Sequence, residues 1–232
     1  MPISKFALFC PMVRACDLLG PRWTLLILTE MATGSTHFND IRRGVPGISP
    51  GLLSKRLRQL EENGLIERLV DGASSAIEYV PTAAARELDP IMEALGRWSY
   101  RNTDADDQLC NIDPQYLMWN MRRKIKVGAL PQRRVVLKFA YPDHDRDPRN
   151  FWIIVRPGKP VDVCFVDPGH DVDLFVTADL RAMASVYFGR SRLVDELRRG
   201  RIDLVGSVTL ERSIGNWLGL SSFAEEDKTS AA

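Results

Sequence analysis

Lys55, Arg56 and Arg58 stand close together in the stretch "GISPGLLSKRLRQLEENGLIERL", and Arg42 and Arg43 lie just before it. Between Asp40 and Arg58 these five cations meet only the carboxylate of Asp40, a local charge of +4 on a 232-residue chain whose net charge is +1. Such a cluster can pair with phosphates, and side chains between the cations can reach base edges. The near-neutral total excludes a polycation that coats nucleic acid by bulk charge, so any such binding must be local. A second chemistry is open to Cys10. A thiol at a helix start, just before Pro11, is favoured as thiolate by the helix dipole and could be oxidised.

Positioning the cations requires a helix. Ser49 suits the N-cap, Pro50 the first helical position and Gly64 the stop. On a wheel, Leu53, Leu57 and Leu60 make one face; Gly51, Lys55, Arg58 and Glu62 lie opposite, with Ser54 and Arg56 flanking. Upstream, Pro11–Leu19 has helical spacing ended by Gly20. Trp23–Met31 is apolar on all sides, as a central buried helix would be, and Phe38–Arg43 is a short third helix. Downstream, "LIERLV" and "AIEYVP" read as strands joined by "DGASS". A helix from Thr82 to Trp98 then kinks or restarts at Pro90. This order predicts a winged helix-turn-helix, whose basic helix fits the DNA major groove.

The motifs "CPMVRACDLLGPRWTLLIL", "HFNDIRRGVPGISPGLLSKRLRQLEENGLIER" and "YVPTAAARELDPIMEAL" make residues Cys10 to Trp98 resemble the HxlR-type bacterial transcription regulators. The resemblance implies a homodimer built by the N-terminal and last helices of this region and bound to a palindromic double-stranded operator. It implies Ser49, Ser54, Lys55, Arg56 and Arg58 on or beside the recognition helix, Arg42 and Arg43 within reach of phosphates, and Arg22 of "GPRWT" near the backbone. Gly51 departs from the polar residue usual there, and the wing tip "VDGASSA" has no Lys or Arg. Cys10 matches a cysteine with which some members sense oxidants.

Polar "RNTDADDQ", Arg101 to Gln108, reads as a linker, which divides the chain into domains 1–104 and 105–232. Asp113 and Pro114 start a helix. Strands "VVLKFAY", "FWIIVR", "VDVCFV" and "DLFVT" follow, with apolar residues on both faces of "VDVCFV". Then come a helix to Phe188, a break at Gly189, a helix Leu193–Arg199 closed by Gly200, a strand Ile202–Val205 and a last helix. The run "FGRSRLVDELRRGRIDLVGS" makes Leu130 to Leu220 resemble the sterol carrier protein superfamily. That implies an α+β fold with an apolar tunnel for a hydrophobic or lipid-like effector. Candidates for its lining are Trp119, Trp152, Phe165, Phe175, Met183, Tyr187, Phe188 and Trp217. The fold class is thus α+β, a winged helix-turn-helix followed by a sterol-carrier-like domain.

The alternatives are a lipid or acyl carrier that uses the winged helix as an interaction module, and a redox-sensing regulator acting through Cys10. No Gly-rich phosphate loop, GxSxG elbow or metal-ligand spacing occurs, so no enzyme, cofactor or metal centre is expected. In "DPGHD", His170 between Asp167 and Asp171 reads as a turn. Cys16, Cys110 and Cys164 read as small buried hydrophobes. No stretch approaches about 18 uninterrupted apolar residues and no signal peptide is legible, so the protein is expected in the cytoplasm, away from the membrane.

Overall fold

The computed structural model of the protein describes residues 10–70, 72, 76–104, 109 and 111–224. The chain forms two compact units, 1–96 and 97–232. Much of the wing tip, linker residues 105–108, Cys110 and residues 225–232 of the tail lie outside the described residues.

The first unit opens with helices α1 (Pro11–Leu19), α2 (Thr24–Ala32), α3 (Phe38–Gly44) and α4 (Pro50–Glu62). Strands β1 (Ile66–Val70) and β2 (Ile77–Pro81) form an antiparallel wing, in register from Ile66↔Pro81 to Val70↔Ile77. The amide of Tyr79 donates to the Thr36 carbonyl at 2.8 Å, which ties the wing to the loop after α2. Ile27, Leu28 and Met31 of α2, Ile41 of α3 and Leu53, Leu57 and Leu60 of α4 share one core. Burial of each such side chain stabilises the unit by about 2 kcal/mol.

The predicted helix Thr82–Trp98 is two helices. Thr82 caps α5 (Ala83–Arg86), and α6 (Asp89–Asn102) restarts with Pro90 in its first turn. The first turn is where a missing N–H costs nothing. Arg101 and Asn102, expected in the linker, continue α6, and Asn102 Nδ2 donates to the Trp98 carbonyl at 2.7 Å.

The second unit has helix α7 (Pro114–Lys124), a 3₁₀ turn (Val127–Ala129), strands β3 (Val135–Ala140), β4 (Asn150–Val155), β5 (Asp162–Cys164) and β6 (Leu174–Ala178), helices α8 (Leu180–Tyr187) and α9 (Leu193–Arg198), strand β7 (Ile202–Gly206), and helices α10 (Val208–Arg212) and α11 (Ile214–Trp217). The sheet order is β5-β4-β3-β6-β7, with β3 and β6 parallel and the other pairs antiparallel. One face, including Leu137, Phe139, Ile153 and Val176, packs with Met118, Met121, Met183 and Trp217 of the helices. Within that core Trp217 Nε1 donates to the Leu210 carbonyl at 3.0 Å and the Tyr141 hydroxyl to Met118 Sδ at 3.0 Å. Burial pushes the Tyr141 phenol well above its ordinary pKa, with the Asp143 charge adding to the shift. The end of α6 docks here too, where the Tyr100 hydroxyl donates to the Phe188 carbonyl at 2.7 Å.

Three expectations are corrected. "VDVCFV" is a strand only over Asp162–Cys164, and Val166 is 79% exposed, so its second face is not fully covered. The last helix is broken at Ser213 into α10 and α11. Cys16 is exposed and Cys164 half-buried rather than core, because α1 buries none of its residues and Cys164 lies on the sheet face away from the helices of its unit.

Candidate nucleic-acid interface

The start of α4 is fixed locally. Ser49 Oγ accepts from the Leu52 amide at 3.3 Å and Pro50 follows at the first helical position. Leu53, Leu57 and Leu60 are buried, so Gly51, Ser54, Lys55 and Arg58 are turned to solvent. Ser54 Oγ donates to the Pro50 carbonyl at 3.0 Å, which leaves its lone pairs available. Among the described residues no carboxylate pairs with Lys55 or Arg58. Arg56 differs. It is half-buried, its Nη1 donates to Gln59 Oε1 at 2.7 Å and its Nε is buried without a partner, so the guanidinium lies along the helix flank.

Arg42 and Arg43 occupy the exposed last turn of α3, where cations offset the helix dipole. Arg43 is held by Asp40 at 3.4 Å. The turn from α3 to α4 buries Val45 and Ile48 and passes through Gly47 at φ +80°. Beneath it lies Trp23, the N-cap of α2, at φ +82°; among the described residues it is the one non-glycine with positive φ. A bulky residue there is strained, and such strain persists only where the surroundings enforce it. A Cβ added to Gly47 would sit 3.6 Å from the Trp23 ring, and the exposed Arg22 guanidinium lies 4.7 Å from that ring's centroid. One indole therefore supports both Arg22 and the turn that delivers α4.

Three residues escaped the sequence reading. Glu30, buried in α2, accepts from Ser35 Oγ at 2.6 Å and abuts Gly44. Its signal was a lone acid in a helix otherwise apolar on every side. Trp23 carried none beyond its motif. Arg68, exposed on β1 opposite Tyr79, gives the wing a cation outside its tip.

Cys10 is exposed at the N-cap of α1. The eight tunnel candidates do not converge. Trp119, Met183, Tyr187 and Trp217 are buried on the helix side of the sheet, with Phe165 and Phe188 partly buried against them. Trp152 and Phe175 flank Lys138 on the opposite face, 5.2 and 5.8 Å from ring centroid to Nζ. A polar cleft of about 510 Å³ is lined instead by residues such as Asp113, Asp143, His144, Arg146 and Arg181 and by none of the eight. In "DPGHD", Asp167 Oδ1 accepts from the Gly169 amide at 2.8 Å, which is a turn. The described residues contain no group of acids, His and Cys placed to hold a metal, and no helix long and apolar enough to cross a membrane.

The HxlR-like helix-turn-helix family matches residues 18–107. The uncharacterised HTH-type transcriptional regulator YvaP of Bacillus subtilis (strain 168) is 34% identical over 92 residues, 39% of this chain and 85% of its own. The chain belongs to the HxlR-like helix-turn-helix transcriptional regulators. The HTH-type transcriptional regulator YodB, also of Bacillus subtilis (strain 168), is 31% identical over 103 residues, 44% of this HxlR-like chain and 92% of its own. A solved structure of the redox regulator HypR in its reduced form is 30% identical, at a TM-score of 0.39, over 43% of this chain and 99% of that one. Most of the second unit lies beyond the family match.

Proposed function

We propose that this HxlR-like regulator binds palindromic double-stranded operator DNA as a homodimer in the cytoplasm, with α4 in the major groove. The observation that carries this is the unpaired, exposed pair Lys55 and Arg58 on the face of α4 opposite its three buried leucines. Ser49, Ser54 and Gly51 lie at the front of that helix, where base edges are read. Arg42, Arg43 and Arg22 serve phosphates, and Arg56 contributes from the flank.

The test is a salt titration of duplex binding. Each phosphate contact contributes a slope of about 0.9 in log affinity against log salt. Lys55→Ala with Arg58→Ala removes four contacts from the proposed dimer, so it should make the slope shallower by about 3.6 and weaken binding more than tenfold. A variant that binds as wild type does would remove α4 from the interface. Exposure of Cys10 favours a redox input as a second reading. The same titration with Cys10→Ser, with and without peroxide, examines it: identical peroxide responses in the variant and wild type would clear Cys10 of the role.

For the second unit we propose the sterol-carrier-like reading, with a hydrophobic small molecule as effector. Its support is the α+β arrangement, a five-stranded sheet with helices over one face. An effector can change DNA affinity only by favouring one arrangement of the dimer over another.

A further inference from the structure

Gly51, Lys55 and Gln59 follow one another at intervals of four along α4, so they form one ridge, outside the face of its buried leucines. A Cβ built on Gly51 would meet nothing within 4 Å, so the front of the ridge is bare. Its side-chain polar groups are those of Lys55 and Gln59. Gln59 is half-buried and bonded at two places. Its backbone carbonyl accepts from Asn63 Nδ2 at 2.6 Å, a bond that belongs to the end of the helix. Its side-chain Oε1 accepts from Arg56 Nη1 at 2.7 Å. Among the described residues no partner meets Gln59 Nε2.

The bond to Arg56 fixes which way the amide points. A guanidinium carries donors only, so the atom it meets must be the amide oxygen, and the NH2 group is left on the other side. The guanidinium itself stays at the helix flank, where its Nε is buried without a partner. An unconstrained glutamine suits adenine, because it donates to N7 and accepts from N6 with the two ends of one amide. With Oε1 turned to Arg56, that two-point contact is closed and Gln59 offers donors alone. Two donors fit a base edge made of acceptors, which in the major groove is N7 and O6 of guanine.

We infer that Gln59 is a specificity-determining residue of α4 that selects guanine, and that Arg56 is its positioning residue, acting through the 2.7 Å bond rather than on a phosphate. The inference rests on the reading that α4 lies in the major groove. Full-length wild type, Gln59→Glu, Arg56→Met and, for comparison, Lys55→Ala with Arg58→Ala each capture duplexes from a pool randomised over about two helical turns, ~21 base pairs, and the bound fraction is sequenced. Wild type should enrich guanine at one position of each half-site. Gln59→Glu keeps an acceptor for Arg56 but removes the donors, so guanine there should fall about fivefold or more in enrichment while the other positions stay as they are. Arg56→Met frees the amide, so adenine should enter at that same position, with the slope of log affinity against log salt kept at the wild-type value. A Gln59→Glu protein with the wild-type base preference, or with the same loss on every sequence, would overturn the inference. Loss of binding by the comparison variant would then show that α4 still holds DNA. An Arg56→Met protein with the wild-type base preference or a shallower slope would overturn the positioning role. If wild type captured no duplex, the proposed function would fall and take this inference with it.

Discussion

Gly44 has no room for a side chain. A Cβ there would lie 1.8 Å from Glu30 Cδ, and that carboxylate is 4% exposed and bonded to Ser35. The Gly44 backbone is not in the left-handed region, so the constraint is steric. Gly44→Ala should destabilise the protein by about 1–3 kcal/mol, the usual cost of overpacking. In a Glu30→Ala background the same substitution should cost far less, since the obstacle is gone. Equal costs in both backgrounds, measured by denaturant unfolding, would show that Glu30 does not set the requirement. Because Gly44 directly follows Arg42 and Arg43, the contact also fixes where those two cations sit before α4.

Helix α6 is amphipathic the wrong way round for an isolated subunit. Ile91, Leu95 and Trp98, spaced i, i+4, i+7, are 54%, 49% and 58% exposed. That is one continuous apolar stripe on one helix face, and α1 adds Met12 at 68% exposure. Stripes of this kind mark association surfaces. They support the proposed dimer. Leu95→Asp should convert a dimer to a monomer in sedimentation velocity. It should also weaken operator binding sharply, because two recognition helices must span half-sites roughly 34 Å apart. A wild-type protein that sediments as a monomer at micromolar concentration would remove the homodimer from the proposal.

At the scale of the whole molecule, a DNA-binding unit of known family carries a second unit with a separate core. The proposed effector must find space there, yet Trp119, Met183 and Trp217 are at most 2% exposed. A ligand would therefore have to separate sheet and helices rather than fill an open channel. Native mass spectrometry of protein purified without detergent should release a hydrophobic mass that a denatured control identifies. A clean spectrum, with no change in melting temperature on adding long-chain fatty acids, would turn the second unit toward assembly.

Local patterns determined much of this protein. Ser49, Pro50 and the Leu53, Leu57 and Leu60 spacing set α4 and its outward cations, because capping and helical periodicity act within a few residues. The wing strands and the β-rich character of the second half were legible for the same reason. Tertiary structure decided what depends on neighbours far along the chain. It buried Glu30 against Gly44, strained Trp23 beneath Gly47, turned Arg56 onto Gln59, and divided the eight aromatic and methionine candidates between two sheet faces. An apolar residue reads alike whether it fills a core or faces solvent, and a cation reads alike whether or not a carboxylate waits across a strand. Only strand register and packing supply that difference.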